Sequence, residues 1–140
     1  MPARSLVIDA SVFISAFLAN ERFHEQSRTF LLGLASCRIH MSSYGLWELS
    51  AALFRRTGNR TATDRAMKLI LELVSDHHLF DSASCQTHFP EKLYTTALRA
   101  ADFVYVSLAL YTGSTLVTLD DEMLERAASV VTVVRPEAFA

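Results

Sequence analysis

Four carboxylates in this chain fall where apolar sequence should bury them. Asp9 lies inside LVIDASVFI, Glu48 inside LWELSAAL, Asp102 at the head of DFVYVSLAL, and Asp120, with Asp121 beside it, at the end of STLVTLDD. A carboxylate flanked by apolar residues costs several kcal/mol to bury unless it is paired or bound to a cation. No Lys or Arg adjoins Asp9 in LVIDASVFI, so a metal ion is its simplest partner. Oxygen ligands without His or thiolate select Mg²⁺ or Mn²⁺. Such a centre activates water and neutralises phosphodiester charge during in-line attack. The other three acids also have plainer roles: Asp102 as a helix N-cap, Glu48 as a favourable charge near a helix N-terminus, one of Asp120, Asp121 and Glu122 as a turn and cap. Ser11 suits either a helix cap or a group that orients Asp9 or a bound water.

The elements that position these acids follow from periodicity and punctuation. Leu6 to Ile8 reads as a buried strand ending on Asp9, followed by helices from Ala10 to Ala19 and His24 to Ala35. Arg38 to Met41 is the next strand, and a helix from Tyr44 to Arg56, capped by Ser42 or Ser43, carries Glu48 and stops before Gly58-Asn59. Thr61 to Ser75 has amphipathic helical spacing, His78 to Phe80 a short strand, and a helix is expected from near Pro90 to Arg99. Asp102 then heads a helix closed by Gly113, Ser114 to Leu119 is a strand ending on Asp120, Glu122 to Ala127 a short helix, and Val130 to Val134 the last strand. This alternation predicts one α/β domain over residues 1–140, a mostly parallel sheet with helices on both faces. Strand C-termini and helix N-termini share one edge of such a sheet, so all four acids converge there.

Composition narrows the function classes. With 140 residues, half of them hydrophobic, the chain can form a real core. A formal charge of −2 gives no global basic signature for nucleic acid, so a polyanion would need a local patch or a metal. Cys37 and Cys85 form no metal spacing or disulfide framework, and Asp9 interrupts what would otherwise outline a signal peptide. No segment is long and apolar enough to span a membrane, and a cytoplasmic location is expected. His24, His40, His77, His78 and His88 show no HExxH spacing, His77-His78 reading as a charge pair after a helix; P-loop, GxGxxG and GxSxG motifs are absent.

VIDASVFI, LWELSAAL, LRAADFVYVSLAL and LVTLDD resemble, in order, the four acidic motifs of the PIN domain, and across the chain the match is similar to VapC-type toxins of type II toxin–antitoxin pairs. The resemblance implies a PIN-like three-layer α/β/α fold and a Mg²⁺- or Mn²⁺-dependent endoribonuclease. It further implies a homodimer inhibited by a small VapB-like antitoxin. Position by position, Asp9, Glu48, Asp102 and Asp120 match the catalytic, metal-binding quartet, and Ser11 and Thr118 the hydroxyl residues beside the first and last acids. Asp121 adjoins Asp120, and the T-x-D spacing favours Asp120 as the ligand.

Arg55, Arg56, Arg60 and Arg65 cluster around Gly58-Asn59, and Arg99 precedes Asp102. They form either a solvated surface or a phosphate-binding rim for RNA. Val12 to Leu18, Phe30 to Leu34, Trp47 and Phe54 carry more large apolar residues than one small core is expected to enclose, which fits a groove for an antitoxin helix; the alternative is that they pack only within the domain or across a homodimer contact. A receiver-like phosphoacceptor domain is disfavoured: it needs an early acid pair and a Lys at a late strand end, whereas the acid pair here is late and Lys68 and Lys92 fall in helices. A non-catalytic PIN-like module that binds RNA or protein is the alternative to the enzyme.

Overall fold

A computed structural model describes residues 2–80, 83 and 91–139. Cys85, His88 and the start of the helix expected near Pro90 lie outside them. Strand β1 (Arg4–Ile8) is followed by α1 (Ala10–Phe17) and α2 (His24–Leu32), then β2 (Cys37–Ser42), α3 (Ser43–Thr57) and α4 (Arg60–Leu73). After β3 (Asp76–His78) and a 3₁₀ turn (Glu91–Thr96) come α5 (Ala100–Thr112), β4 (Thr115–Val117), α6 (Asp121–Ala127) and β5 (Val133–Val134).

The five strands pair in the order β3-β2-β1-β4-β5, and every pairing is parallel. Leu6, Val7 and Ile8 of the central strand are completely buried on both faces, as β-branched and apolar residues of a doubly covered parallel strand should be. From β1 the chain winds outward through β2 and β3, then returns to β1's other side with β4. The winding therefore reverses between β1 and β4, and ligands of open α/β sheets bind in the crevice outside such a reversal, at the carboxyl ends of the strands. Asp9 and Asp120 end the two strands that flank it.

Local chemistry sets the helix boundaries. The Ser42 side chain accepts the backbone N–H of Gly45 at 3.0 Å and starts α3, and Gly58 ends it in the left-handed conformation, φ +61°. Asn59 then caps α4 by accepting from Ala62 N–H at 3.0 Å, so Gly58-Asn59 is the turn of a helical hairpin. Gly113, φ +66°, closes α5 in the same way.

Three expectations need correction. The strand expected at His78 to Phe80 runs instead from Asp76 to His78, because pairing to β2 sets His40 against Asp76 and Ser42 against His78. The carboxylate of Asp76 takes Arg38 Nε at 2.5 Å and Nη2 at 2.8 Å, and the His40 and His78 rings meet across the pair. His77-His78 is therefore strand, not a charged helix end. The segment expected as a helix up to Arg99 is a 3₁₀ turn from Glu91 to Thr96, and Arg99 is instead the N-cap residue of α5. No helix of the described residues is long and apolar enough to cross a membrane.

Candidate active site

Asp9 anchors the site. It is buried at 5 % exposure, and its Oδ2 accepts two hydroxyls, Ser11 Oγ at 2.7 Å and Thr118 Oγ1 at 2.7 Å. Each hydroxyl in turn accepts a backbone N–H from the end of β4: Leu119 N–H reaches Ser11 at 3.1 Å and Asp120 N–H reaches Thr118 at 3.0 Å. Both hydroxyls thus use a donor and an acceptor at once, fix the carboxylate's orientation and clip the end of β1 to the end of β4. Ser11 hydrogen-bonds to the Asp9 carboxylate and does not cap α1, whose N-cap residue is Asp9 itself without a side-chain cap bond.

Glu48 enters from the second turn of α3 and Asp102 from the first turn of α5. Asp120 caps α6, its Oδ1 accepting Glu122 N–H at 2.8 Å and Met123 N–H at 3.3 Å. The cap and the site residue are thus one side chain, so these two readings of Asp120 do not compete. All four acids line a single cavity of about 320 Å³. Asp121 does not line it; its carboxylate is largely exposed and pairs with Arg135. A larger hollow of about 910 Å³, lined by Arg4, Phe30, Cys37 and Phe139, lies at the opposite edge, by the N-terminal ends of β1 and β2, and holds none of these acids.

Crowding changes the acids' proton affinities. Burial, then the charge of Asp120, raises the Asp9 carboxyl against the lowering pull of its two hydroxyl donors. Burial, then Asp9 and Asp102, lifts Glu48 to about 7. Burial, then Asp120 and Asp9, lifts Asp102 to about 6, with Arg99 pulling the other way. Among the described residues no salt bridge reaches any of the four. Nor do any three His, Cys, Asp or Glu side chains of the described residues stand at the spacing of a closed metal-ligand set. Glu48 Oε2 is buried with no hydrogen-bond partner. An all-oxygen donor set with an orphaned, buried acceptor and raised carboxyl pKa values at Asp9, Glu48 and Asp102 fits a hard divalent cation such as Mg²⁺ or Mn²⁺.

The arginines divide. Arg56 lines the cavity and is paired with Glu21. Arg99 sits over Asp102's helix end and reaches Glu122 at 3.4 Å. Arg55 is exposed away from the cavity lining, Arg60 pairs with Asp64 at 3.6 Å on the outer face of α4, and Arg65 lines a separate cleft between α1 and α4. The expected single rim of Arg55, Arg56, Arg60 and Arg99 is therefore reduced at the acids to Arg56 and Arg99.

Sequence reasoning missed four residues here. Ser15, one helical turn after Ser11, Glu21 and Phe23 line the cavity. Tyr105, one turn after Asp102, is buried beneath it with its hydroxyl unpartnered and its pKa raised by burial and then by Asp9 and Glu48. The four-residue step from Ser11 to Ser15 and the three-residue step from Asp102 to Tyr105 were readable signals; Glu21 and Phe23, in the connection between α1 and α2, carried none.

The expected apolar surface is also divided. Val12, Phe13, Phe30 and Leu34 are core. Phe17, Leu31, Leu32, Leu69 and Leu73 line a groove of about 480 Å³ between α1, α2 and α4. Trp47 and Phe54 lie outside it, 79 % and 52 % exposed on the outer face of α3.

A search of curated proteins finds no match. Solved structures give the fold. The VapC20 toxin of Mycobacterium tuberculosis, which cleaves the sarcin–ricin loop, aligns at TM-score 0.70 and 19 % identity over 90 % of this chain and 96 % of its own. VapBC-1 of nontypeable Haemophilus influenzae aligns at 0.67 and 18 % over 94 % and 98 %. FitAcB of Neisseria gonorrhoeae aligns at 0.67 and 20 % over 94 % and 97 %. The sequence profile of the PIN domain matches residues 6–129, a span that begins in β1, ends beyond α6 and encloses all four acids. By that match, and with the sheet order and acidic crevice in agreement, the chain belongs to the PIN domain family.

Proposed function

We propose that the protein is a Mg²⁺- or Mn²⁺-dependent endoribonuclease, the toxin of a toxin–antitoxin pair. The observation that carries this reading is the convergence of Asp9, Glu48, Asp102 and Asp120 on one cavity, with Asp9 held by Ser11 and Thr118. The four carboxylates would hold the ion, which supplies neutralisation of phosphate charge and lowers the pKa of the attacking water. The chain's own residues do the rest. Ser11 and Thr118, both bonded to Asp9 Oδ2, fix the orientation of the Asp9 carboxylate, which would be one of the groups holding the ion. Glu48 is lifted to about 7, so binding of an ion there would be coupled to release of a proton near neutral pH. Arg56 and Arg99 supply cationic groups at the rim for the flanking phosphates of an RNA strand.

Partners follow from the apolar surfaces. The groove of Phe17, Leu31, Leu32, Leu69 and Leu73, with Arg28 and Glu72 at its edge, suits one face of an amphipathic helix from a VapB-like antitoxin. VapBC-1 and FitAcB, which share the fold, are complexes by their names and favour such a partner. Tyr44, Trp47 and Phe54 make an exposed apolar stripe on α3 that suits a homodimer contact.

The test is cleavage of RNA by the purified chain with Mn²⁺ or Mg²⁺ and with EDTA. Cleavage that EDTA abolishes and Asp9→Asn removes supports the reading. RNA binding without cleavage under any divalent metal would favour the non-catalytic module instead.

A further inference from the structure

The acids occupy only part of their cavity. Its other wall is built from Ile14 and Ser15 of α1 and from Glu21 and Phe23 of the following connection, with Arg56 reaching in from α3. Ser15 is 4 % exposed and its Oγ has no hydrogen-bond partner, a cost of about 1–3 kcal/mol for a buried polar group left unsatisfied. The Glu21 carboxylate is tethered at Oε1 by Arg56 Nη1. A carboxylate accepts about four hydrogen bonds, so the tether fixes its direction without filling it. Phe23 supplies an apolar ring, and the guanidiniums of Arg22 and Arg135 lie 5.0 Å and 5.5 Å from its centre. An apolar wall, an aromatic ring, a buried hydroxyl and an oriented carboxylate beside a phosphate-cleaving centre are the parts of a base pocket.

From this geometry we infer that Ser15, Glu21 and Phe23 form a subsite for one unpaired base flanking the scissile phosphate, and that Glu21 selects guanine. The inference rests on the nuclease reading. Among the four bases only guanine presents two adjacent N–H donors, N1–H and N2–H₂, on its pairing edge, and a carboxylate is the one side chain that accepts both. Arg56 then has two duties: it orients Glu21 and adds positive charge for the neighbouring phosphate. Arg22 adds positive charge at the Phe23 side, which offsets part of the repulsion of RNA by the acids.

The experiment measures binding, so it does not depend on turnover. Asp9→Asn full-length protein in Mg²⁺ is titrated into fluorescein-labelled single-stranded RNA hexamers, all uridine except for one internal guanosine, adenosine or cytidine, and followed by anisotropy. The guanosine hexamer should bind about tenfold tighter than the others, the scale of one good bidentate base contact. Added on that background, Glu21→Gln should bring the ratio close to one and Ser15→Ala should reduce it. The general electrostatic effect of removing the Glu21 charge is common to all the hexamers, whereas loss of the base contact weakens only the guanosine one, so the ratio is the readout. A melting curve for each variant separates loss of the pocket from loss of the fold. Equal binding of all hexamers, or a guanosine preference that Glu21→Gln leaves intact, overturns the subsite alone. Failure of every hexamer to bind overturns the subsite, whereas the nuclease reading stands or falls separately on EDTA-sensitive cleavage by the wild-type chain.

Discussion

Neutralising Glu48 tests the electrostatics of the site without requiring turnover. Burial, then Asp9 and Asp102, raises its carboxyl from 4.5 to about 7. The folded state therefore holds a proton that the unfolded chain gives up. Stability linked to that proton is fully present below the unfolded value of 4.5 and is lost as the pH climbs through about 7. At about 1.4 kcal/mol per unit the lift is worth at most about 3 kcal/mol, and solvent screening of a half-buried side chain brings the expectation to about 1–2 kcal/mol. For a domain of this size that is about 4–8 °C in Tm. Melting curves in EDTA, from about pH 5 to about pH 8, should show wild type and Glu48→Gln close together at the acid end, with the variant about 4–8 °C higher at the alkaline end. Burial lowers the pKa of His40 and of His78, which gives an opposite slope on the acid side, but it is common to both proteins and cancels in the difference. Mn²⁺ should raise the wild-type Tm at the alkaline end by mass action, and Asp9→Asn should blunt that rise. A difference between wild type and Glu48→Gln that stays constant across the range would refute the reasoning.

Asp9→Asn, Glu48→Gln, Asp102→Asn and Asp120→Asn should each remove most RNA cleavage, with doubles little worse than singles in a single-turnover assay. Asp121→Asn, which breaks only the exposed pair with Arg135, should keep activity near wild type; an inactive Asp121→Asn beside an active Asp120→Asn would reverse the ligand assignment. Asp120→Ala should in addition cost about 1 kcal/mol of stability in urea titration through loss of the α6 cap, whereas Asp120→Asn keeps it. Gly45→Ala puts a Cβ 2.5 Å from Met41 Sδ and 3.3 Å from the Tyr105 hydroxyl; it should destabilise by about 1–3 kcal/mol and displace Glu48, one turn along, so that its Tm and its Mn²⁺ response fall together. Leu69→Glu in the groove should abolish co-purification with the product of a neighbouring small open reading frame while leaving RNA cleavage unchanged, and retention of the partner would place it elsewhere.

Periodicity made the fold readable where side chains meet a regular surface. The apolar runs of β1 and β4 mark strands buried on both faces, and Gly58 and Gly113 stop helices because both adopt φ near +60°, at +61° and +66°. Both signals are local, and the structure repeats them. The errors arose where tertiary pairing decides. β3 is Asp-His-His, with no β-branched or apolar residue, and it is a strand only because Arg38 and His40 on β2 supply partners for Asp76 and His78. A three-residue edge strand held by an ion pair and a ring contact leaves no hydrophobic period to read.

The same distinction separates the legible half of the cavity from the illegible half. Asp9, Glu48, Asp102 and Asp120 stand at ends of regular elements, so the rule that strand C-termini and helix N-termini share an edge gathers them before any coordinate is known. Ser11 and Thr118 are each two residues from an acid, and backbone geometry alone keeps them close. Glu21 and Phe23 instead belong to a connection whose path is set by contacts made after α1 ends: Glu21 N–H bonds to Leu18 O at 3.1 Å, His24 N–H to Glu21 O at 3.2 Å, and His24 Nδ1 lies 2.9 Å from Ser15 O. Those bonds fold the connection back along α1 and carry a carboxylate and an aromatic ring to the acids. Within a shared fold, connections of this kind vary more readily than strand ends. On the nuclease reading proposed above, the part of the cavity that sequence patterns locate would serve general phosphodiester chemistry, and the part they miss would serve the choice among substrates.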